Sequence, residues 1–284
     1  MKSLLSILAL IGLAYLLVTV FYALMQRSVM YYPVTVPLEQ ARSMVAAMGG
    51  EPWLSQDGQW QGWFKALGQS ADGVVKSRAV VFHGNAGMAL NRDYYANLLS
   101  GFEQSGPWTV FVFEYPGYGP RPGSPSEATF TSAALAAVDE LLSEQSTPLL
   151  AIGESIGGGV ASAVAQERAD ALSALLRVTP FDSMVHLAHH HLPYLPAGLL
   201  LKDRYENSSA LRDFDQPLII VTAGNDRIVP ASFADPLMEQ HAGPLLRQLQ
   251  PNAGHNSLSF DPAHPTWTEV DRFLVNSISK EGLQ

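Results

Sequence analysis

Three side chains in this 284-residue chain have the types and the order that nucleophilic acyl chemistry needs: Ser155, Asp226 and His255. A serine hydroxyl is a poor nucleophile until a base takes its proton. Imidazole titrates near neutral pH and can do so, while a carboxylate fixes the imidazole tautomer and steadies the imidazolium. Ser155 lies in Gly153-Glu154-Ser155-Ile156-Gly157, between an apolar run at 148–152 and a small-residue stretch at 160–165. A strand passing through G-x-S-x-G into a helix turns so tightly that bulky flanking side chains are excluded. The turn holds the serine oxygen clear of the sheet, at the positive end of the helix. Alone the pentapeptide is weak: with glycine at about 7% of residues, chance supplies it in roughly one chain in ten of this length.

The partners strengthen it. Asp226 follows the apolar run 217–221, and His255 follows the run 245–249. Taken singly, Asp226 reads as a turn cap or an ion partner of Arg227, and His255 as a satisfied loop histidine. Together they stand in the order Ser, Asp, His that this elbow requires, each just past a strand. Loops at the carboxyl ends of parallel strands share one edge, so residues distant in sequence converge there. Asp182 is the rival acid.

Acyl chemistry also needs donors for a developing oxyanion. The Ile156 amide comes with the elbow. The second amide is expected in His83-Gly84-Asn85-Ala86-Gly87, from Asn85 or, failing that, Ala86. His83 reads as a brace for that loop, and Glu154 as packing or bonding locally. His186, His189, His190 and His191 share a helix face in part. They read as solvated or lid histidines rather than a metal site, because by sequence no Asp, Glu or Cys partner stands at a ligand-like spacing nearby and catalytic zinc usually takes three protein ligands. Neither a metal nor a cofactor is expected.

These residues need a sheet to position them. Apolar runs at 78–82, 108–113, 148–152, 174–178, 217–221 and 245–249 alternate with helical stretches, which predicts a mostly parallel sheet covered on both faces. Residues 58–67 alternate apolar and polar, as a half-exposed edge strand does. Residues 33–58 read as irregular with one helix from Pro37 to Gly49-Gly50. Helices are expected at about 91–104 and 231–240. Ser124, Pro125 and Glu127 predict a capped helix start with a capping box. Trp267, Val270, Phe273, Leu274 and Ile278 predict a docked closing helix. The pattern breaks between 181 and 216, a small lid-like excursion over the carboxyl edge.

Composition bounds the function. With 17 basic against 26 acidic residues the net charge is −9, which argues against nucleic acid as a partner. The absence of cysteine excludes disulfides, thiol catalysis and cysteine zinc sites. No charge lies between Lys2 and Arg27, and residues 4–25 are almost wholly apolar. As a helix this run spans roughly 33 Å at about 1.5 Å per residue, against a bilayer core of about 30 Å. A signal peptide has an apolar core of about 7–15 residues and an A-x-A-like site; this run is longer and no such site follows. The expectation is therefore an uncleaved single-pass anchor at 1–28 with one domain at 29–284. Tyr22 and Tyr31-Tyr32 are expected near an interface. Lys2 and Arg27 nearly balance, and the orientation adopted puts the domain outside.

With these residues in place, the chain resembles the α/β-hydrolase superfamily, and more narrowly its membrane-anchored bem46/ABHD13-like branch. The resemblance rests on His83-Gly84-Asn85-Ala86-Gly87, Tyr115 with Gly117-Tyr118-Gly119, Pro125-Ser126-Glu127, Gly153-Glu154-Ser155-Ile156-Gly157-Gly158, Asn225-Asp226-Arg227-Ile228-Val229-Pro230 and Gly254-His255-Asn256. It covers roughly residue 30 to the end. Glu114 and Pro116 stand where relatives usually have Asp and Arg, and Pro120-Arg121-Pro122 replaces a shorter step. The resemblance implies a serine hydrolase acting on an ester or other acyl bond of a small-molecule or lipid-like substrate. Two other classes stay open: a serine peptidase on the same fold, and a non-catalytic membrane-tethered binding protein.

Overall fold

The computed structural model describes residues 2–68, 77–145, 147–239 and 241–281. In chain order the elements are α1 (Lys2–Met30), α2 (Leu38–Ala47), β1 (Glu51–Leu54), β2 (Trp60–Leu67), β3 (Ser77–Phe82), α3 (Tyr94–Ser100), β4 (Trp108–Phe113), α4 (Glu127–Glu144) and β5 (Leu149–Glu154). There follow α5 (Ile156–Glu167), β6 (Leu172–Val178), α6 (Met184–His191), α7 (Ala197–Leu200), α8 (Asn207–Ala210), β7 (Leu218–Ala223), α9 (Asp235–Glu239), β8 (Leu245–Gln250) and α10 (Pro265–Glu281).

Among the described residues the strands form one sheet in the order β1-β2-β4-β3-β5-β6-β7-β8. The pairs β1·β2 and β2·β4 are antiparallel and the rest parallel. The chain moves outward from β3 to β4, then crosses back over to place β5 on the other side of β3. That reversal opens a crevice at the carboxyl ends of β3 and β5, where such sheets hold their ligands.

Two layers of helix cover the sheet. Phe130, Ala134, Val138 and Leu141 of α4 and Val160 and Val164 of α5 are buried on one face. Ala41 and Val45 of α2, Tyr95 and Leu98 of α3, and Trp267, Val270 and Leu274 of α10 are buried on the other. Each fully buried aliphatic side chain contributes roughly 1.5–3 kcal/mol, so these stripes hold the strand ends in fixed positions. The side chain of Ile278 and the whole of Gln240 lie outside the described residues.

Several expectations are corrected. Residues 51–54 form a strand, too short for its periodicity to show, and Trp53 is buried with its ring 5.2 Å from that of Phe111. With β1 taking the edge, β2 is internal and Trp60, Gln61, Gly62 and Trp63 are buried. The helix expected at 91–104 is reduced to α3 behind a 3-10 turn at Ala89–Asn91, and the one expected at 231–240 to α9 behind a 3-10 turn at Ala231–Ala234. The cap of α4 is Ser126, not Ser124: its side chain accepts from the Thr129 amide at 3.1 Å. Glu127 makes no capping box. Its carboxylate accepts instead from the Arg204 and Tyr205 amides at 2.6 and 3.0 Å, fastening α4 to the end of the 181–216 excursion.

The first helix is longer than expected and runs to Met30. Residues 2–21 of it are exposed, Thr19 excepted, and it is apolar and long enough to cross a membrane. Its carboxyl end is bound into the domain. Arg27 pairs with the buried Asp203 through two nitrogens at 2.9 and 3.0 Å. Tyr31 is not an interfacial ring: it is buried, and its hydroxyl meets Asp203 at 3.1 Å and the Tyr205 hydroxyl at 2.9 Å.

Candidate active site

Ser155 sits between β5 and α5 with backbone angles φ 51° and ψ −117°, a conformation costly for a residue with a side chain. The surroundings impose it. The Ser155 amide donates to the Val178 carbonyl at 2.9 Å, and the Ser155 carbonyl accepts from the Gly158 amide at 2.9 Å. The two motif glycines leave no room for anything larger. A Cβ on Gly157 would lie 2.0 Å from the Phe82 carbonyl oxygen, and one on Gly153 would lie 2.6 Å from the Gly158 Cα. The elbow is therefore pressed against the end of β3 by close backbone approach.

The structure brings Ser155, Asp226 and His255 together from the ends of β5, β7 and β8. His255 Nδ1 lies 2.7 Å from Asp226 Oδ2, and His255 Nε2 lies 3.1 Å from Ser155 Oγ. A carboxylate only accepts, so Nδ1 carries the proton and Nε2 is left with its lone pair facing the serine hydroxyl. The Asp226 side chain is fully buried and that of His255 is 10% exposed. Asp226 Oδ1 accepts from the Ile228 and Val229 amides at 2.8 and 2.7 Å. The turn-cap reading and the histidine-orienting reading of Asp226 thus hold at once, one oxygen for each. The rival acid, Asp182, binds His186 Nδ1 at 2.9 Å and has no contact with His255.

The loop after β3 stands across from the elbow. Asn85 Oδ1 accepts from its neighbour Ala86 N at 3.0 Å, from Tyr32 N at 3.1 Å and from the Tyr118 hydroxyl at 3.0 Å; its Nδ2 donates to the Met30 carbonyl. The Ala86 amide is therefore taken. Among the described residues the Asn85 and Ile156 amides have no acceptor, and both residues line the cavity that holds Ser155. His83 is fully buried, with Nδ1 donating to the Gly84 carbonyl at 2.7 Å and Nε2 3.2 Å from Glu114 Oε1. The Glu114 carboxyl also accepts from the Ala89 amide, so this departure from the family pattern braces the loop. Glu154 takes the hydroxyls of Tyr94 and Tyr95 at 2.7 and 3.2 Å, with Arg92 at 3.6 Å. Burial, with the Glu154 carboxylate adding to it, pushes the Tyr94 phenol far above its ordinary range, so it stays a donor.

The cavity in front of Ser155 measures about 550 Å³. Several of its walls were not singled out from the sequence: Met30 and Tyr32 from the end of α1, Arg92 beyond the Asn85 loop, and Met184, Leu187 and Ala188 of α6. The signal for the first pair was the Tyr31-Tyr32 doublet directly after the span, which composition alone assigns to a membrane surface. The 181–216 excursion resolves into α6, α7 and α8, and His191 Nε2 of α6 bonds the Ile228 carbonyl at 2.8 Å, pinning α6 to the Asp226 turn.

A reversing, mostly parallel sheet with helices on both faces and a serine on its tightest strand-to-helix turn defines an α/β-hydrolase fold. Comparisons with known proteins agree. The family model described as "Alpha/beta hydrolase family" matches residues 79–207. The Mycobacterium tuberculosis protein Rv2307c is 31% identical over 278 residues, spanning 96% of this chain and 95% of that protein. Protein bem46 of Schizosaccharomyces pombe is 28% identical over 170 residues, 57% of this chain and 55% of its own length. Among solved structures, the esterase domain of a Rhodothermus marinus protein aligns with TM-score 0.56 at 17% identity, covering 81% of this chain and 98% of that domain. The chain belongs to the α/β-hydrolase family, with bem46 among its relatives.

Proposed function

We propose that the protein is a membrane-anchored serine hydrolase that cleaves a carboxylic ester through an acyl-enzyme on Ser155. The observation that supports this reading is the continuous chain Ser155 Oγ–His255 Nε2 and His255 Nδ1–Asp226 Oδ2, at 3.1 and 2.7 Å, opening on a cavity. Ser155 Oγ attacks the acyl carbon while its proton passes to His255 Nε2. The Asn85 and Ile156 amides hold the oxyanion of the tetrahedral intermediate. His255 then gives that proton to the leaving alcohol oxygen as the carbon–oxygen bond breaks. A water molecule, deprotonated by His255, attacks the acyl carbon, and the proton returns to Ser155 Oγ as the acid departs. Asp226 keeps His255 in the tautomer that does this. The apolar helix α1, exposed over residues 2–21 except at Thr19, supports anchoring in a bilayer.

The test is labelling by a fluorophosphonate probe, expected in the wild type and absent in Ser155→Ala. A folded wild type that is never labelled overturns the reading in favour of a binding protein. Faster turnover of aminoacyl amides than of p-nitrophenyl esters would move it to a peptidase.

A further inference from the structure

We propose that the acyl chain of a bilayer-resident amphiphile reaches Ser155 along the groove between α1 and the α6–α7 segment, with the membrane helix itself as one wall. This rests on the serine-hydrolase reading above and deepens it, naming where the substrate's hydrocarbon lies and from where it enters.

Four observations carry it. First, a groove of about 170 Å³ runs between Tyr22, Val29 and Met30 of α1 and Leu192, Leu195 and Leu200 of the excursion. Its one amide side chain, Gln26, is bonded at both ends: Nε2 donates to the Ala23 and Leu200 carbonyls at 2.7 and 3.1 Å, and Oε1 accepts from Lys202 N at 2.8 Å. A polar ligand gains little from such a lining, whereas a hydrocarbon loses nothing by leaving lipid for it. Second, the groove adjoins the catalytic cavity: Met30, Met184 and Ala188 line both. Third, the cavity has a polar part that the groove lacks: Arg92, Glu154 and Asn256 line the cavity and not the groove. An amphiphile laid through both spaces has its headgroup there, its scissile bond at Ser155 and its chain toward α1.

The fourth observation places the mouth. Residues 2–21 of α1, which stand clear of the groove, amount to about 30 Å of helix at about 1.5 Å per residue, the thickness of a bilayer core. The groove begins at Tyr22, where that length ends. The excursion also touches the helix within that length: the Tyr15 hydroxyl donates to the Tyr194 carbonyl at 2.8 Å, and Tyr194 and Leu199 are 83% and 88% exposed. These apolar surfaces face the same medium as α1. A chain can therefore slide from lipid into the groove without crossing water.

The experiment uses the full chain in nanodiscs with p-nitrophenyl esters from acetate to palmitate, active sites being counted by fluorophosphonate labelling. Val29→Trp fills the groove from α1 and is expected to lower the palmitate-to-acetate ratio of kcat/KM by about tenfold or more, as lost burial of two methylenes at about 0.8 kcal/mol each would. Leu17→Trp, on the lipid-facing length of the same helix, is expected to leave that ratio within about twofold, as surface substitutions do. A palmitoyl ester with a photoactivatable terminal carbon is expected to cross-link to residues 22–30. Intact labelling with an unmoved ratio in Val29→Trp, or cross-links confined to other surfaces, overturns the route and leaves the hydrolase reading standing. A wild type without labelling or ester turnover overturns both.

Discussion

Two histidine–carboxylate pairs stand at the same edge of the sheet, and one of them faces a serine. His255 meets Asp226 at 2.7 Å through Nδ1, and its Nε2 is turned to Ser155 in a cavity. His83 meets Glu114 at 3.2 Å through Nε2, and its Nδ1 is bonded to the Gly84 carbonyl. The first pair leaves a lone pair facing the Ser155 hydroxyl, where the proposed mechanism takes a proton. The second has both nitrogens occupied and is fully buried, so whichever way its proton lies it offers no base. Its work is to hold the loop that presents the Asn85 amide. A third pair, Asp182 with His186, is by contrast partly exposed, and it bonds neither Ser155 nor the Asn85 loop. Each is a histidine with a carboxylate. The difference lies in which nitrogen the carboxylate takes and what the other one faces.

Breaking the first pair gives the largest effects. Ser155→Ala or His255→Ala is expected to lower kcat for ester hydrolysis by about 10⁶-fold, the scale seen when a nucleophile or its base is removed from such a unit. Steady-state kinetics with active-site counting measures this. Asp226→Asn leaves the histidine in place but permits the wrong tautomer, and about 10⁴-fold loss is expected. Comparable loss in Asp182→Asn would reassign the acid.

The second pair breaks differently. Glu114→Ala removes one partner of a buried pair and leaves His83 and the Ala89 amide unmet, which costs about 3–5 kcal/mol of stability. Urea unfolding reads that loss, while kcat per labelled active site is expected to stay within about tenfold. A kcat loss on the scale of Asp226→Asn would show that Glu114 acts in catalysis and would erase the contrast. The third pair sets the floor: Asp182→Asn is expected to change stability by less than about 1 kcal/mol, as exposed ion pairs do, with kcat per labelled site unchanged within error.

Much of this arrangement was legible in the chain. The strands β3, β5 and β7 announce themselves as nearly continuous apolar runs, because a strand covered on both faces has no polar side to show. The elbow is legible because close backbone approach excludes every side chain at Gly153 and Gly157. The order of Ser155, Asp226 and His255 is legible because successive parallel strands present successive loops at one edge. The amino-terminal part was read less well. Four residues of β1 are too few to show a period, so by sequence alone β2 reads as an edge. Ser124 and Ser126 are equally good caps by type, and the choice between them fell to the Arg204 and Tyr205 amides that hold Glu127.

What the sequence determined by itself was the set of local necessities: the tight turn at Ser155, the buried strands, the apolar length of α1. What only the tertiary structure decided was which groups meet. Sequence does not say that Asp226 divides its oxygens between its own turn and His255, that Asp182 goes to His186, or that Asn85 ties its loop to Met30 and Tyr32. Nor does it say that the end of α1 lines the cavity before Ser155. The physical reason is that turns and strands are set by interactions a few residues apart, whereas a carboxylate or an apolar wall is claimed by whichever partner the packed sheet brings within about 3 Å, the reach of a hydrogen bond.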